Sequence, residues 1–218
     1  MKLTDLLLLF ALPEEAAPMR RRLAGWPELP RIVVTGMGRR RAANATRAAL
    51  AERRPTMVLT CGFAGGLDPA LAREAVLMEA DADFPLAPAL RRAGAQSGSF
   101  LCTDRILITP AEKAAAWTAH RCEGVEMESG EIRRICREAG IPCATVRVIS
   151  DAADEALPLD FNRLADANQE LSYAKLALTL LRAPGKLGEL LAFQRRLRGA
   201  GARLADVLAT ALADREPR

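Results

Sequence analysis

"GVEMESGEIRRICREAGIPCATVRVISDAAD" spans residues 124–154. A short apolar stretch ends in Glu126, Met127 and Glu128. A helix-type pattern follows over "ESGEIRRICREAG" (128–140), closed by Gly140, a residue type suited to the position after a helix. The run "PCATVRVIS" (142–150) then reads as a buried strand and ends in Ser150 and Asp151. Strand, helix and strand in succession are the unit of a parallel sheet. Ligands of such sheets bind beyond the carboxyl ends of the strands, where this segment gathers its carboxylates.

The same alternation extends outward in both directions. "DLLLLFAL" (5–12) precedes the helix-type "PEEAAPMRRRL", and "RIVVTG" (31–36) precedes "RRRAANATRAALAERR". "TMVLTCG" (56–62) runs into a glycine-rich stretch that is expected to be a loop. "EAVLMEA" (74–80), "SFLCTD" (99–104) and "RCEGVE" (121–126) are further strand candidates. The pattern predicts an α/β fold, a three-layer α/β/α sandwich around a mixed, mainly parallel sheet. Residues 1–218 are expected to form one domain, with a basic helical tail at about 171–213 broken near "APG" (183–185).

Composition narrows the classes. The formal net charge is +4, and only four of the 31 basic residues are lysines: Lys2, Lys113, Lys175 and Lys186. No aromatic residues interleave with the arginines, as a nucleic-acid stacking surface would need, so nucleic acid is not an expected partner. Five cysteines without a CxxC pattern fit buried, reduced thiols and a cytoplasmic setting. A single histidine, His120, leaves little material for a metal site, and none is expected. The run "LLLLFAL" (6–12) follows one lysine and leads into "PEE", so it reads as a strand and not as the core of a signal peptide. In the tail, residues 186–208 set Leu187, Leu190, Leu191, Phe193, Leu197, Leu204 and Val207 against Arg195, Arg196, Arg198 and Arg203. That amphipathic helix either packs on the domain or touches a membrane surface.

Four strand ends carry residues with chemical potential. "ALPEEA" (11–16) offers Glu14 and Glu15. "TGMGRRR" (35–41) offers Gly36, Gly38 and Arg39 at a helix start, a candidate anion site. A dinucleotide fold would want a third glycine where Arg41 stands and an acid at the end of the next strand, which ends in "LTCG". "TCGFAGGLDP" (60–69) offers Gly62 and Phe63, as a plain turn or as a place where backbone meets ligand. At "VRVISDAAD" (146–154), Asp151 fits both a helix N-cap and a general acid.

Taken together, "TGMGRRRAAN", "TCGFAGGLDP", "GVEMES" and "VRVISDAAD" resemble the nucleoside phosphorylase and nucleosidase superfamily over about residues 5–165. That superfamily includes methylthioadenosine/S-adenosylhomocysteine nucleosidases, futalosine hydrolases, purine and uridine phosphorylases and hopanoid-associated nucleosidases. The resemblance implies cleavage of the N-glycosidic bond of a purine nucleoside, without a cofactor, in a homodimer. It assigns the sugar hydroxyls to Glu128, with Met127 against the sugar and Glu126 beside it. It assigns N7 of the departing purine to Asp151, oriented by Ser150. Glu15 becomes the group that activates water, with Glu14 one residue away, and Ile106 and Leu107 become base contacts.

Departures from the family pattern separate two reactions. Phosphorylases place a hydroxyl residue where Phe63 aligns, and often an arginine where Thr60 aligns. Hydrolysis is therefore the expected reaction, and Arg39–Arg41 keep phosphorolysis as its alternative. The segment 81–98 is short for the family, which implies an open 5′ side. The tail resembles those of hopanoid-associated members, whose substrate is an adenosyl-linked lipid. A non-catalytic nucleoside-binding protein is the competing reading from another class.

Overall fold

The computed structural model describes residues 2–81, 83–164 and 185–214, with residues 176, 178 and 183 between. Strand β1 (Leu6–Phe10) is buried at every position. It lies between β2 (Arg31–Val34) and β3 (Met57–Gly66), parallel to both. β3 pairs in parallel with β8 (Cys143–Asp151), whose nine residues are all buried. β4 (Val76–Ala80) runs antiparallel to β8 and parallel to β5 (Ala95–Ser97), giving the order β2-β1-β3-β8-β4-β5. β7 (Gly124–Glu126) pairs antiparallel with the end of β3 and parallel with β6 (Phe100–Cys102). Strands buried on both faces carry no hydrophobic alternation, which is why β1 reads as a continuous apolar run and β8 as a mostly apolar one.

Helices cover both faces. On one face α1 (Pro13–Arg22), α3 (Ala87–Arg92) and α7 (Lys186–Ala213) pack over Leu6, Leu8, Phe10, Leu59, Val146 and Val148. On the other, α2 (Arg39–Glu52) and α5 (Ser129–Glu138) pack over Leu7, Leu9, Val58 and Cys143. Helices α4 (Pro110–His120) and α6 (Phe161–Leu164) complete the described set. The result is the expected three-layer arrangement. Gly140 closes α5 with a φ of 63°, the left-handed conformation that glycine adopts without strain.

Two expectations change. The glycine-rich stretch is not a loop: β3 continues through Gly66. Gly65 and Gly66 pair with Val125 and Gly124 on one side, while Gly65 pairs with Asp151 on the other. A Cβ on Gly65 would stand 3.2 Å from Val125 and 3.3 Å from Asp151 Oδ2, so the missing side chain lets three strands converge. The tail also differs in part. α7 buries Leu190, Phe193, Leu204, Val207, Leu208 and Leu212, but leaves Leu187 and Leu191 about half exposed. The expected helix before the 183–185 break lies outside the described residues, apart from single positions.

Candidate active site

The site grows from the carboxyl ends of β1, β3, β7 and β8. Beyond β1, Glu15 occupies the first turn of α1, where a carboxylate favours the helix dipole and caps free N–H groups. Its Oε2 accepts from the N–H groups of Ala11 and Leu12, both at 2.9 Å, and its Oε1 accepts from the N–H of Phe63 at 2.9 Å. Glu15 is buried, whereas its neighbour Glu14 is exposed. Burial pushes the Glu15 carboxyl up, opposed by the nearby Arg147 guanidinium.

Gly62 makes room for this group. Its φ is 148°, and a Cβ there would lie 2.5 Å from Glu15 Oε1 and 2.6 Å from Arg147 Nη1. Arg147, on β8, is 1% exposed and stands at the centre of the cluster. Its Nη2 donates to Glu126 Oε2 at 2.7 Å, to Glu128 Oε2 at 3.4 Å and to Thr60 Oγ1 at 3.4 Å, and its Nη1 to the carbonyl of Cys61 at 3.3 Å. A fully buried guanidinium requires such partners, since an unpaired buried charge is very costly.

The two glutamates of "EME" have different situations. Glu126 is saturated by the protein. Its Oε2 accepts from the N–H of Glu128 (3.0 Å), the N–H of Ser129 (2.8 Å) and Arg147, and its Oε1 accepts from Ser129 Oγ (2.7 Å). Burial alone would raise Glu126, but Arg147 and these donors outweigh it and hold the carboxyl below its usual range. Glu128 accepts one short bond, from the N–H of Gly38 to Oε1 at 2.8 Å, and one long contact from Arg147. Each carboxylate oxygen has two lone pairs, so Glu128 keeps acceptor capacity that Glu126 has used. Burial and the neighbouring Glu126 charge push Glu128 up to about 7 against the pull of Arg147.

Asp151 ends β8 beside Gly65. Its Oδ1 lies 2.5 Å from Ser150 Oγ and its Oδ2 2.5 Å from Lys113 Nζ. It caps no helix: a turn follows, and α6 begins only at Phe161. Gly62, against Glu15 and Arg147, and Gly65, against Asp151, are three residues apart on β3, or about 10 Å at strand rise. The Arg147-centred carboxylates and Asp151 therefore flank the same stretch of β3, on either side of the register shift between Ala64 and Gly65.

Other expected site residues lie elsewhere or are already engaged. The ring of Phe63 turns to α7, within 3.6 Å of where a Cβ on Gly201 would stand, and only its N–H faces Glu15. Alternation along β3 forces this, since Gly62 and Phe63 must face opposite sides. Leu107 is buried among Leu67, Val125 and Trp117 and is a core residue, not an open base contact. Ile106 is half-buried, and its N–H and carbonyl both bond the Asn162 amide at 2.9 Å. Met127 is half-buried between the two glutamates. At the candidate anion site, the Gly38 N–H serves Glu128, and Arg39 bonds the Cys102 carbonyl (2.6 Å) and Asp104 (3.0 Å). A Cβ on Gly36 would meet Arg41 Cδ at 2.8 Å.

Two residues that sequence reasoning passed over hold the site together. Arg147 had a signal: a charge in the middle of a strand read as buried needs a partner. Lys113 had a weaker one, as a lone lysine in an alanine-rich helix of an arginine-rich chain.

The sequence model of the Phosphorylase superfamily matches residues 75–182, a span that contains Lys113, Glu126, Glu128, Arg147 and Asp151. Among solved structures, futalosine hydrolase of Helicobacter pylori superposes with a TM-score of 0.70 at 16% identity, over 96% of this chain and 97% of that one. The 5′-methylthioadenosine/S-adenosylhomocysteine nucleosidase of the same organism, bound to butyl-thio-DADMe-Immucillin-A, gives 0.71 at 16% identity, over 96% and 97%. The Neisseria meningitidis enzyme of that name, in complex with methylthio-immucillin-A, gives 0.71 at 18%, over 96% and 98%. The matched sequence pattern thus covers just under half of this chain, and the architecture over nearly all of it is the one that these nucleosidases share.

Proposed function

We propose that this protein hydrolyses the N-glycosidic bond of a purine nucleoside, with a 5′-substituted adenosine as the substrate class. Glu128 takes the sugar hydroxyls with its unused lone pairs, and its charge favours a sugar turning into an oxocarbenium-like cation. Glu15, with proton affinity raised by burial, takes a proton from the attacking water. Asp151, held by Ser150, faces the departing base. The likeness to proteins that bind nucleoside analogues supports the substrate class.

One observation carries the choice of water over phosphate. Three buried carboxylates, Glu15, Glu126 and Glu128, surround one buried cation, Arg147, and both of its terminal nitrogens already have acceptors. A phosphate dianion entering this cluster would meet net negative charge in a dry setting, where repulsion is strong. Water meets no such barrier. The Phe63 ring faces α7 and takes no part in excluding phosphate. A non-catalytic binding role is disfavoured because binding alone has no need of three costly buried acids beside a sugar.

The test is to incubate the protein with 5′-substituted adenosines, with and without phosphate. Hydrolysis yields free base and free sugar at a rate indifferent to phosphate. A sugar 1-phosphate formed at a rate that saturates in phosphate would move the protein to phosphorolysis, and no base release at all would favour the binding role.

The reading extends to the first turns of α7. Leu187 and Leu191 are exposed there near the exposed Arg195 and Arg198, a pairing suited to an anionic lipid surface that carries a lipid-linked substrate. Among the described residues no helix is long and apolar enough to cross a membrane. Sedimentation with phosphatidylglycerol vesicles, lost in a Leu187→Asp/Leu191→Asp variant, is the expected outcome. Equal sedimentation of both proteins would remove the membrane contact.

A further inference from the structure

We propose that Lys113 is a positioning residue that stores the proton destined for the leaving base and passes it through Asp151. The inference rests on the hydrolytic reading above and adds a residue to it.

Lys113 is the one fully buried residue of α4, and its side chain is 0% exposed. Ala116 and Trp117 lie half-buried against Leu67, Leu107 and Val125, and Lys113 is the side chain that α4 takes fully out of water. The placement is fixed by a capping box in which Thr109 and Glu112 bond each other's N–H groups, with Pro110 at the first helical position. An ammonium has three N–H donors, and here each has an acceptor: Asp151 Oδ2 at 2.5 Å, the Ala152 carbonyl at 2.6 Å and the Glu155 carbonyl at 2.8 Å. The acceptors belong to the last residue of β8 and to the turn that follows it. That stretch is braced further by Glu155, whose Oε2 accepts from the N–H of Ala152 at 2.9 Å and whose Oε1 pairs with Arg73 at 3.1 Å.

A lysine needed only to tie down this turn would be satisfied by the carbonyls. The third donor instead meets the one carboxylate that faces the base, and Ser150 donates to the other oxygen of the same group. A carboxyl that accepts at both oxygens, one bond coming from a cation, has the pattern of an anion. It has no proton of its own to give. The nearest transferable proton is on Lys113 Nζ.

As the bond between the sugar carbon and the base nitrogen breaks, its electron pair stays on the base. The Nζ–H proton of Lys113 moves to Oδ2 of Asp151, and the Asp151 carboxyl gives a proton to a ring nitrogen of the base. Lys113 is left as a neutral amine and Asp151 as a carboxylate again. Water bonds to the sugar carbon and loses its proton to Glu15, and solvent restores Lys113 and Glu15. Lys113 and Asp151 thus pass one proton along the hydrogen bond that joins them. The charged groups facing Asp151 among the described residues are Lys113 from α4, and Glu155 with its partner Arg73 from the flanking turns. Arg147 on the same strand is turned to Glu126 and Glu128.

The test compares full-length wild type with Lys113→Met and Lys113→Ala in base release from 5′-methylthioadenosine across pH. In Lys113→Met, kcat is expected to fall about 100-fold with KM changed by less than about threefold, and the alkaline limb of kcat to move toward acid by about one pH unit or more. Ethylammonium is expected to restore activity to Lys113→Ala at least about tenfold, and tetramethylammonium, which has no N–H, to restore none. An arm on the wild type alone covers failure of the variants to fold. Its alkaline limb is expected to shift strongly with temperature, as ammonium ionisations do and carboxyl ionisations do not. A wild-type limb that is flat with temperature, or a Lys113→Met enzyme with wild-type kcat and limb, overturns the role of Lys113 and leaves the hydrolytic reading standing. A wild type that releases no base from any nucleoside overturns both.

Discussion

The backbone N–H of Gly38 donates to Glu128 Oε1 at 2.8 Å, across 90 residues of sequence. The Gly-x-Gly turn at the head of α2 does bind an anion, as helix N-termini do, but the anion is a side chain of the same protein. The turn therefore serves the site indirectly: it aims one oxygen of Glu128 and leaves the other turned toward Arg147.

Glu128 should give the protein a pH signature. Its folded value of about 7 lies above its ordinary 4.5, so the native state holds this proton more firmly than the unfolded chain does. The stability it contributes is fully present below about pH 4.5 and is lost as pH rises through 7. The melting temperature of the wild type is expected to fall between pH 5 and 8 by more than that of Glu128→Gln, by roughly 1–3 kcal/mol in stability. The ionised form is the one that favours a cationic sugar, so kcat/KM should rise through about pH 7. Parallel melting curves for the two proteins would show that Glu128 is not perturbed by burial.

Glu126 and Glu128 should separate by function. Glu126→Gln loses a saturated set of bonds that pins α5 and Arg147, and is expected to cost roughly 2–4 kcal/mol in urea unfolding. Glu128→Gln is expected to cost little stability at pH 8 and to reduce kcat/KM by about 100-fold or more. The reverse pattern would exchange their roles.

Arg147→Met should be among the most damaging single changes in the core. It leaves Glu15, Glu126 and Glu128 buried without their shared counter-charge, an imbalance worth roughly 3–5 kcal/mol. Adding Glu126→Gln to Arg147→Met should recover part of that loss, because the two residues are coupled. Simple additivity in urea unfolding would contradict the cluster.

Gly62→Ala tests the close approach at β3. Its Cβ would stand 2.5 Å from Glu15 Oε1, in a backbone conformation with φ of 148° that disfavours a side chain. Glu15 must move, so kcat should fall by roughly 10²-fold, the scale of a displaced catalytic group, with the fold retained by circular dichroism. Wild-type turnover in this variant would remove Glu15 from the chemistry.

Asp151→Asn keeps the shape and loses the charge. Turnover is expected to fall by about 100-fold or more, within the span of general acid–base catalysis. Full activity would reduce Asp151 to an anchor for Lys113.

By itself the sequence determined the layered architecture and the strand ends. Leu6–Phe10 and Cys143–Asp151 are buried on both faces, and apolar or mostly apolar runs of that length announce a parallel sheet covered by helices. It also put Glu15, Glu128 and Asp151 at strand ends, where the ligands of an α/β sheet bind, and the family resemblance singled those three out. What it could not determine is which neighbours those acids meet. Phe63 aligned where phosphorylases place a hydroxyl residue, but a strand's two-residue alternation turns its ring to α7 while Gly62 faces Glu15. Gly38 and Arg39 read as an open anion site, but tertiary contacts with Glu128, Cys102 and Asp104 engage them. Arg147 and Lys113 carry their charges into the core only because residues 21 and 38 positions away supply the acceptors. Periodicity and composition report on neighbours along the chain, whereas a buried charge is decided by partners brought together across the sheet, and only the folded chain specifies those.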